Sequence, residues 1–119
     1  MIYNEIYLHY IWLYKLFSQQ HLCTSDGQLV EILSPGFLNA DAGPDFYESK
    51  IRIDNTIWVG NVEIHLRASD WIRHRHQEDA AYENVILHVV WEQDAPVFRQ
   101  DGTLIPALLA EAIPTDLSR

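Results

Sequence analysis

The sequence is poor in the residues that mark disulfide-rich, fibrous or disordered chains. Its 119 residues include one cysteine, five glycines and five prolines, while 48% are hydrophobic. The lone Cys23 can form no disulfide within the chain and no thiolate-rich zinc site. Few Gly and Pro beside so many apolar residues exclude a collagen-like, low-complexity or disordered chain. We therefore expect a folded protein of a reducing compartment, the cytoplasm.

Long hydrophobic runs are also lacking. The most apolar stretch, residues 1–17, is interrupted by His9 and Lys15 and falls short of the ~20 apolar residues that span a bilayer. It also has no basic start followed by a small-residue cleavage site, as a signal peptide would. We expect no membrane association.

Basic residues are scarce, at eight Lys and Arg against 17 Asp and Glu, which gives a formal net charge of -9. The chain as a whole therefore repels phosphate backbones and anionic membranes. The balance is reversed locally, because five of the eight basic residues fall within positions 50–75. We expect Arg67, Arg73 and Arg75 to contact the phosphates of a nucleic acid, although a charged strip is more commonly a solvated face.

The spacing of apolar residues predicts a single α/β or α+β domain over residues 1–119. Its predicted core is a small central mixed sheet with a hairpin, flanked by an N-terminal helix and a short second helix. The expected order is a helix over about 3–18, a strand over 28–33, a long loop over 34–45, hairpin strands over 47–53 and 57–66, a helical segment within 69–82, a buried strand over 84–91, and a final hairpin at Asp101-Gly102.

Two stripes of side chains are expected to place the first helix on the sheet. Their members recur at helical spacing and are Ile2, Ile6, Tyr10, Leu13 and Phe17 in one stripe and Tyr3, Tyr7, Ile11 and Tyr14 in the other.

The hairpin register decides which side chains meet. A three-residue loop of Asp54, Asn55 and Thr56 would place Ile53 opposite Ile57 and Ile51 opposite Val59. Continued along the strands, this pairing puts Tyr47 opposite Glu63 and Asp45 opposite His65. The sequence thus predicts that Asp45, Glu63 and His65 share one face, where two carboxylates could hold Mg²⁺ or Mn²⁺ and the imidazole could orient or deprotonate water.

A Pro44-Asp45 pair before one strand and Glu63-Ile64-His65 on the next resemble the signature of the PD-(D/E)XK nuclease superfamily. This resemblance implies a restriction-endonuclease-like core and a metal-dependent phosphodiesterase, in which Asp45 and Glu63 bind metal. His65 stands where that superfamily usually has a lysine, and it can replace the lysine because its pKa lies near ~6.5. A glutamate on the first helix, a further superfamily feature, corresponds to Glu5.

Five segments also resemble the N-terminal part of an uncharacterised bacterial family, catalogued as domain of unknown function 2851, and the resemblance as a whole covers almost the whole chain. They are residues 39–46, 62–65, 69–71, 74–76 and 84–90. Because members of that family are much longer, this resemblance implies that the chain is the N-terminal fragment of a longer protein. It implies no activity.

Other interpretations remain open. His74 and His76 could join His65 or His88 in a zinc site with Asp79 as the orienting carboxylate, although zinc is the second choice because no His pair at i, i+4 supports it. Asp41 could be another metal ligand or a turn residue. The domain could also have lost catalysis and serve as a binding or assembly module.

Overall fold

The computed structural model describes residues 4–15 and 22–110. The chain forms a mixed sheet with helices, as predicted. Its helices are α1, Glu5–Leu13, and α2, Asp70–Arg73, with 3-10 turns at His76–Glu78 and Ala80–Tyr82. Its strands are β1 Val30–Ser34, β2 Phe37–Leu38, β3 Phe46–Ile53, β4 Thr56–Arg67, β5 Val85–Glu92 and β6 Ala107–Leu109.

The sheet runs in the order β1-β3-β4-β5-β6, with β2 also paired to β3. Strands β1, β3 and β4 are antiparallel, whereas β4, β5 and β6 are parallel to one another. The chain crosses from β4 to β5 through α2 and the 3-10 turns, as a parallel pair requires. Residues 85–90 of β5 are all buried, and the apolar ones contribute to two apolar clusters, which confirms a strand covered on both faces.

Helix α1 is shorter than predicted. The Asn4 side chain caps it by accepting a hydrogen bond from the Tyr7 N–H at 2.8 Å. The helix ends at Leu13, and Lys15 takes a positive φ of 52°, which no helix continues through. The expected extension to about residue 18 is therefore wrong at residues 14 and 15, while residues 3 and 16–18 lie outside the described part.

The buried face of α1 also differs from the first predicted stripe. Leu8, Ile11 and Trp12 are buried, whereas Ile6 is 79% exposed and Tyr10 is 50% exposed. Apolar and aromatic residues surround most of this helix, so spacing alone could not select the face that meets the sheet.

The β3–β4 hairpin has a two-residue loop, so the predicted three-residue loop is wrong. Ile53 pairs with Thr56, and Ile51 pairs with Trp58 rather than Val59. Asp54 adopts φ 51°, a conformation that tight two-residue turns demand and that Asp tolerates.

A β-bulge then shifts the register once more. Ser49 pairs with Gly60, but Phe46 pairs with Val62, so one extra residue is inserted in β3 beside Glu48, whose φ is 57°. The predicted pairs of Tyr47 with Glu63 and Asp45 with His65 are therefore wrong. The bulge returns Asp45 to the face of Glu63, and the residue opposite it is two positions nearer the loop than predicted.

The segment after β4 is less regular than a single helix. Its α-helix covers only one turn, Asp70–Arg73, before Arg75 takes the left-handed conformation with φ 60°. Further along, Phe98 pairs with Leu104 around a turn in which Gly102 has φ 86°, in agreement with the predicted final hairpin. Within residues 4–15 and 22–110, no helix combines the length and apolarity needed to cross a membrane.

Candidate functional site

Asp45 and Glu63 are joined by reciprocal contacts where β3 and β4 meet beyond the bulge. The Asp45 N–H donates to Glu63 Oε1 at 3.0 Å, and the Ile64 N–H donates to Asp45 Oδ2 at 2.8 Å. Pro44 and Phe46 on either side of Asp45 are buried, and Glu63 is only 4% exposed. The two carboxyl groups are thus held together at the edge of the core.

Burial and the charge of Asp45 raise the pKa of Glu63 to about 10. Burial also acts to raise the pKa of Asp45, but the His9 and Glu63 side chains and the Ile64 N–H hold it below its ordinary value. At neutral pH, and with no cation bound, Asp45 is therefore charged and Glu63 is protonated. A cation beside the pair would favour loss of that proton.

His65 lies on the same face, two residues after Glu63. Its Nε2 atom is 3.2 Å from Glu63 Oε2, and its Nδ1 atom is 2.8 Å from His88 Nε2. Burial lowers the pKa of His65 to about 4 and that of His88 to about 3, so both rings are neutral at pH 7. A proton on His65 Nδ1 would be donated to His88, leaving the Nε2 lone pair directed toward Glu63.

His74 and His76 approach His65 from the crossover segment. The His65 ring centroid lies 5.3 Å from the centroids of both rings, and the His76 ring is stacked on Tyr82 at 3.7 Å. One ligand atom from each of the three histidines lies within 4.8 Å of the others. The three residues form a group that could hold a metal ion.

Helix α1 adds two side chains that lie one turn apart. His9 Nε2 is 3.4 Å from Asp45 Oδ2. Burial, followed by the charges of Asp45 and Asp70, raises the pKa of Glu5, which places this glutamate in the same electrostatic environment. Sequence reasoning considered Glu5 but missed His9, although the i, i+4 spacing of the two residues was a usable signal.

The three arginines expected to contact phosphate are all exposed, and two of them already have acidic partners. Arg73 Nη2 lies 2.6 Å from Asp70 Oδ1, and Arg75 makes a two-point contact with Glu78 at 2.8 and 2.9 Å. Arg67 stands at the end of β4. A phosphate would have to compete for Arg73 and Arg75.

Two other candidate residues have local structural roles. Asp79 Oδ1 accepts a hydrogen bond from the Ala81 N–H at 3.0 Å and caps the second 3-10 turn. Asp41 is exposed, and its N–H donates to Asn39 Oδ1 at 3.0 Å within the loop. Sequence reasoning also missed the packing of Trp71 and Tyr82 against the His76 ring, since both aromatic residues had the pattern of ordinary core.

The donor atoms suit two kinds of cation. Asp45 and Glu63 offer oxygen ligands, which Mg²⁺ and Mn²⁺ prefer, whereas the three imidazoles suit borderline metals such as Zn²⁺. His76 Nε2 is buried and lies 3.0 Å from Glu63 Oε2, although it makes no hydrogen bond of good geometry among the described residues.

The model of a family described as "Protein of unknown function (DUF2851)" matches residues 5–119. Comparison with curated proteins found no match, and comparison with solved structures found none either.

Proposed function

The chain belongs to the DUF2851 family of proteins of unknown function, and from that premise we propose that it is a Mg²⁺- or Mn²⁺-dependent phosphodiesterase acting on nucleic acid. The joined carboxyl groups of Asp45 and Glu63 beside His65 carry the proposal. Neighbouring carboxyl groups with opposed pKa shifts are typical of functional sites.

The order of elements supports the same proposal. Helix α1 is followed by the antiparallel strands β1, β3 and β4, then by α2 and the parallel strand β5. This is the order implied by the resemblance to PD-(D/E)XK nucleases, with Asp45 before the second long strand and Glu63 on the third.

Each residue has a distinct role in the proposal. Asp45 and Glu63 hold the metal ion, which would supply a Lewis acid for the charge on a phosphate oxygen. Glu63 must lose its proton to do so, while Asp45 is already charged. Neutral His65 accepts a hydrogen bond from the attacking water and orients it. Arg67, with Arg73 and Arg75 once released from their partners, contacts the substrate phosphates.

Cleavage of single- and double-stranded DNA and RNA in Mg²⁺ or Mn²⁺ tests this function, with circular dichroism to check that each variant folds. We expect Asp45→Asn and Glu63→Gln to abolish activity, because each removes a carboxylate ligand. His65→Ala should lower activity by roughly two to four orders of magnitude, the usual contribution of an acid-base group, and His65→Lys should retain it. Ile72→Ala, at an exposed apolar position of α2, is the matched control.

Equal inactivity of the wild type and every variant on all four substrates would contradict the proposal. The binding or assembly module would then be the better interpretation, since the fold would remain without its chemistry.

A further inference from the structure

We propose that His65, His74 and His76, with Glu63 Oε2, form a nitrogen-rich site for a borderline transition metal, with Zn²⁺ as the ion of best fit. This inference goes beyond the phosphodiesterase, because it requires neither a nucleic-acid substrate nor catalysis.

The distances among the donor atoms fit a tetrahedral ion. Zinc binds imidazole nitrogen and carboxylate oxygen at about 2.0–2.2 Å, which separates neighbouring ligand atoms by roughly 3.3–3.5 Å. Glu63 Oε2 lies 3.2 Å from His65 Nε2 and 3.0 Å from His76 Nε2. The ligand atoms of the three histidines lie within 4.8 Å of one another, so they would have to move closer by roughly 1–1.5 Å to bind one ion. The exposed His74 side chain has the freedom to make this movement.

The rings of His65 and His76 are held as metal ligands usually are. His65 turns its other nitrogen toward His88 at 2.8 Å, the kind of second contact that fixes the orientation of a ligating histidine. His76 stacks on Tyr82 with an interplanar angle of 13° and meets the edge of Trp71. Packing thus positions both nitrogens in advance.

The backbone between the two outer histidines is strained. Arg75 has φ 60°, although left-handed backbone is uncommon and unfavourable for a residue with a side chain. This bend brings the His74 and His76 rings to within 5.5 Å of each other, although they are only two residues apart. Strained backbone of this kind is concentrated at ligand sites.

The Co²⁺ complex of the purified chain tests the site, because tetrahedral Co²⁺ absorbs visible light far more strongly than octahedral Co²⁺. After treatment with a chelator, one equivalent of Co²⁺ should give the intense tetrahedral spectrum, which added Zn²⁺ removes and added Mg²⁺ does not. His74→Ala should abolish this spectrum, and because His74 is exposed the variant should fold. His76→Ala should do the same, whereas Ile72→Ala should leave it intact.

A weak octahedral spectrum that is unchanged in His74→Ala and His76→Ala would overturn the inference. The Asp45→Asn variant separates it from the phosphodiesterase, since it should keep the cobalt spectrum while losing nuclease activity. A tetrahedral spectrum in a protein without nuclease activity would refute only the proposed function. Nuclease activity without that spectrum would refute only the histidine site.

Discussion

Replacing Glu63 by glutamine should make the stability of the metal-free protein much less sensitive to alkaline pH. The pKa of Glu63 is raised from 4.5 to about 10, so from pH 7 to 9 the folded state holds nearly one proton more than the unfolded state. When the pKa of a group is higher in the folded state than in the unfolded state, the stability that the group contributes is complete below its unfolded-state pKa. That stability is lost as the pH rises toward and through the folded-state pKa. At 1.36 kcal/mol per pH unit, this carboxyl lowers the free energy of unfolding by about 2.7 kcal/mol over those two units.

Urea denaturation at pH 7 and pH 9 in the presence of a chelator measures this loss. Other groups that titrate in this range are common to wild type and Glu63→Gln, so the difference between their losses isolates Glu63. The exposed Glu83 provides the matched control, because Glu83→Gln removes a carboxyl group that does not belong to the Asp45–Glu63 pair. If wild type and Glu63→Gln lose the same stability between the two pH values, the burial argument for Glu63 is refuted.

Three further results are expected from denaturation measurements. Glu48→Gly should be neutral or stabilising by up to about 1 kcal/mol, because glycine adopts the left-handed conformation at the bulge without strain. Lys50→Gly, at a regular strand position, should instead cost about 0.5–1 kcal/mol. If Glu48→Gly is the more destabilising of the two, the bulge is contradicted. Gly36→Ala should cost about 2 kcal/mol or more, since Gly36 has φ 82° and a Cβ there would overlap Tyr47 O; an unchanged melting temperature would refute that close approach. Mn²⁺ at 100 times its Kd should raise the free energy of unfolding of wild type by about 2.7 kcal/mol and leave Glu63→Gln unchanged, and an equal rise in both would remove Glu63 as a ligand.

The buried strand β5 was predictable from its continuous apolar run, because a strand buried on both faces shows no alternation of apolar and polar residues. The hairpin register was not, since its loop is one residue shorter than predicted and the bulge at Glu48 adds one residue. The two differences act in the same direction and move the partner of Asp45 by two positions, from His65 to Glu63. Side chains in a strand alternate with period two, so Asp45 stays on the predicted face although its predicted partner is wrong.

The approach of His74 and His76 to His65 could not be predicted from their spacing. It depends on the left-handed conformation of Arg75 and on the 3-10 turns that follow, where a regular helix would point side chains two residues apart in different directions. Arginine gives no local signal for such a bend, as glycine or asparagine would.

Anomalous diffraction from crystals soaked in Mn²⁺ tests the central claim, a metal centre built on the carboxyl groups of Asp45 and Glu63. The account predicts a peak about 2.1 Å from a carboxylate oxygen of Asp45 and from one of Glu63, the distance expected for a small hard cation. Crystals of Asp45→Asn grown and soaked in the same way should show no peak there. A peak confined to other sites, with the Asp45 and Glu63 contacts unchanged in the soaked wild type, would contradict the account.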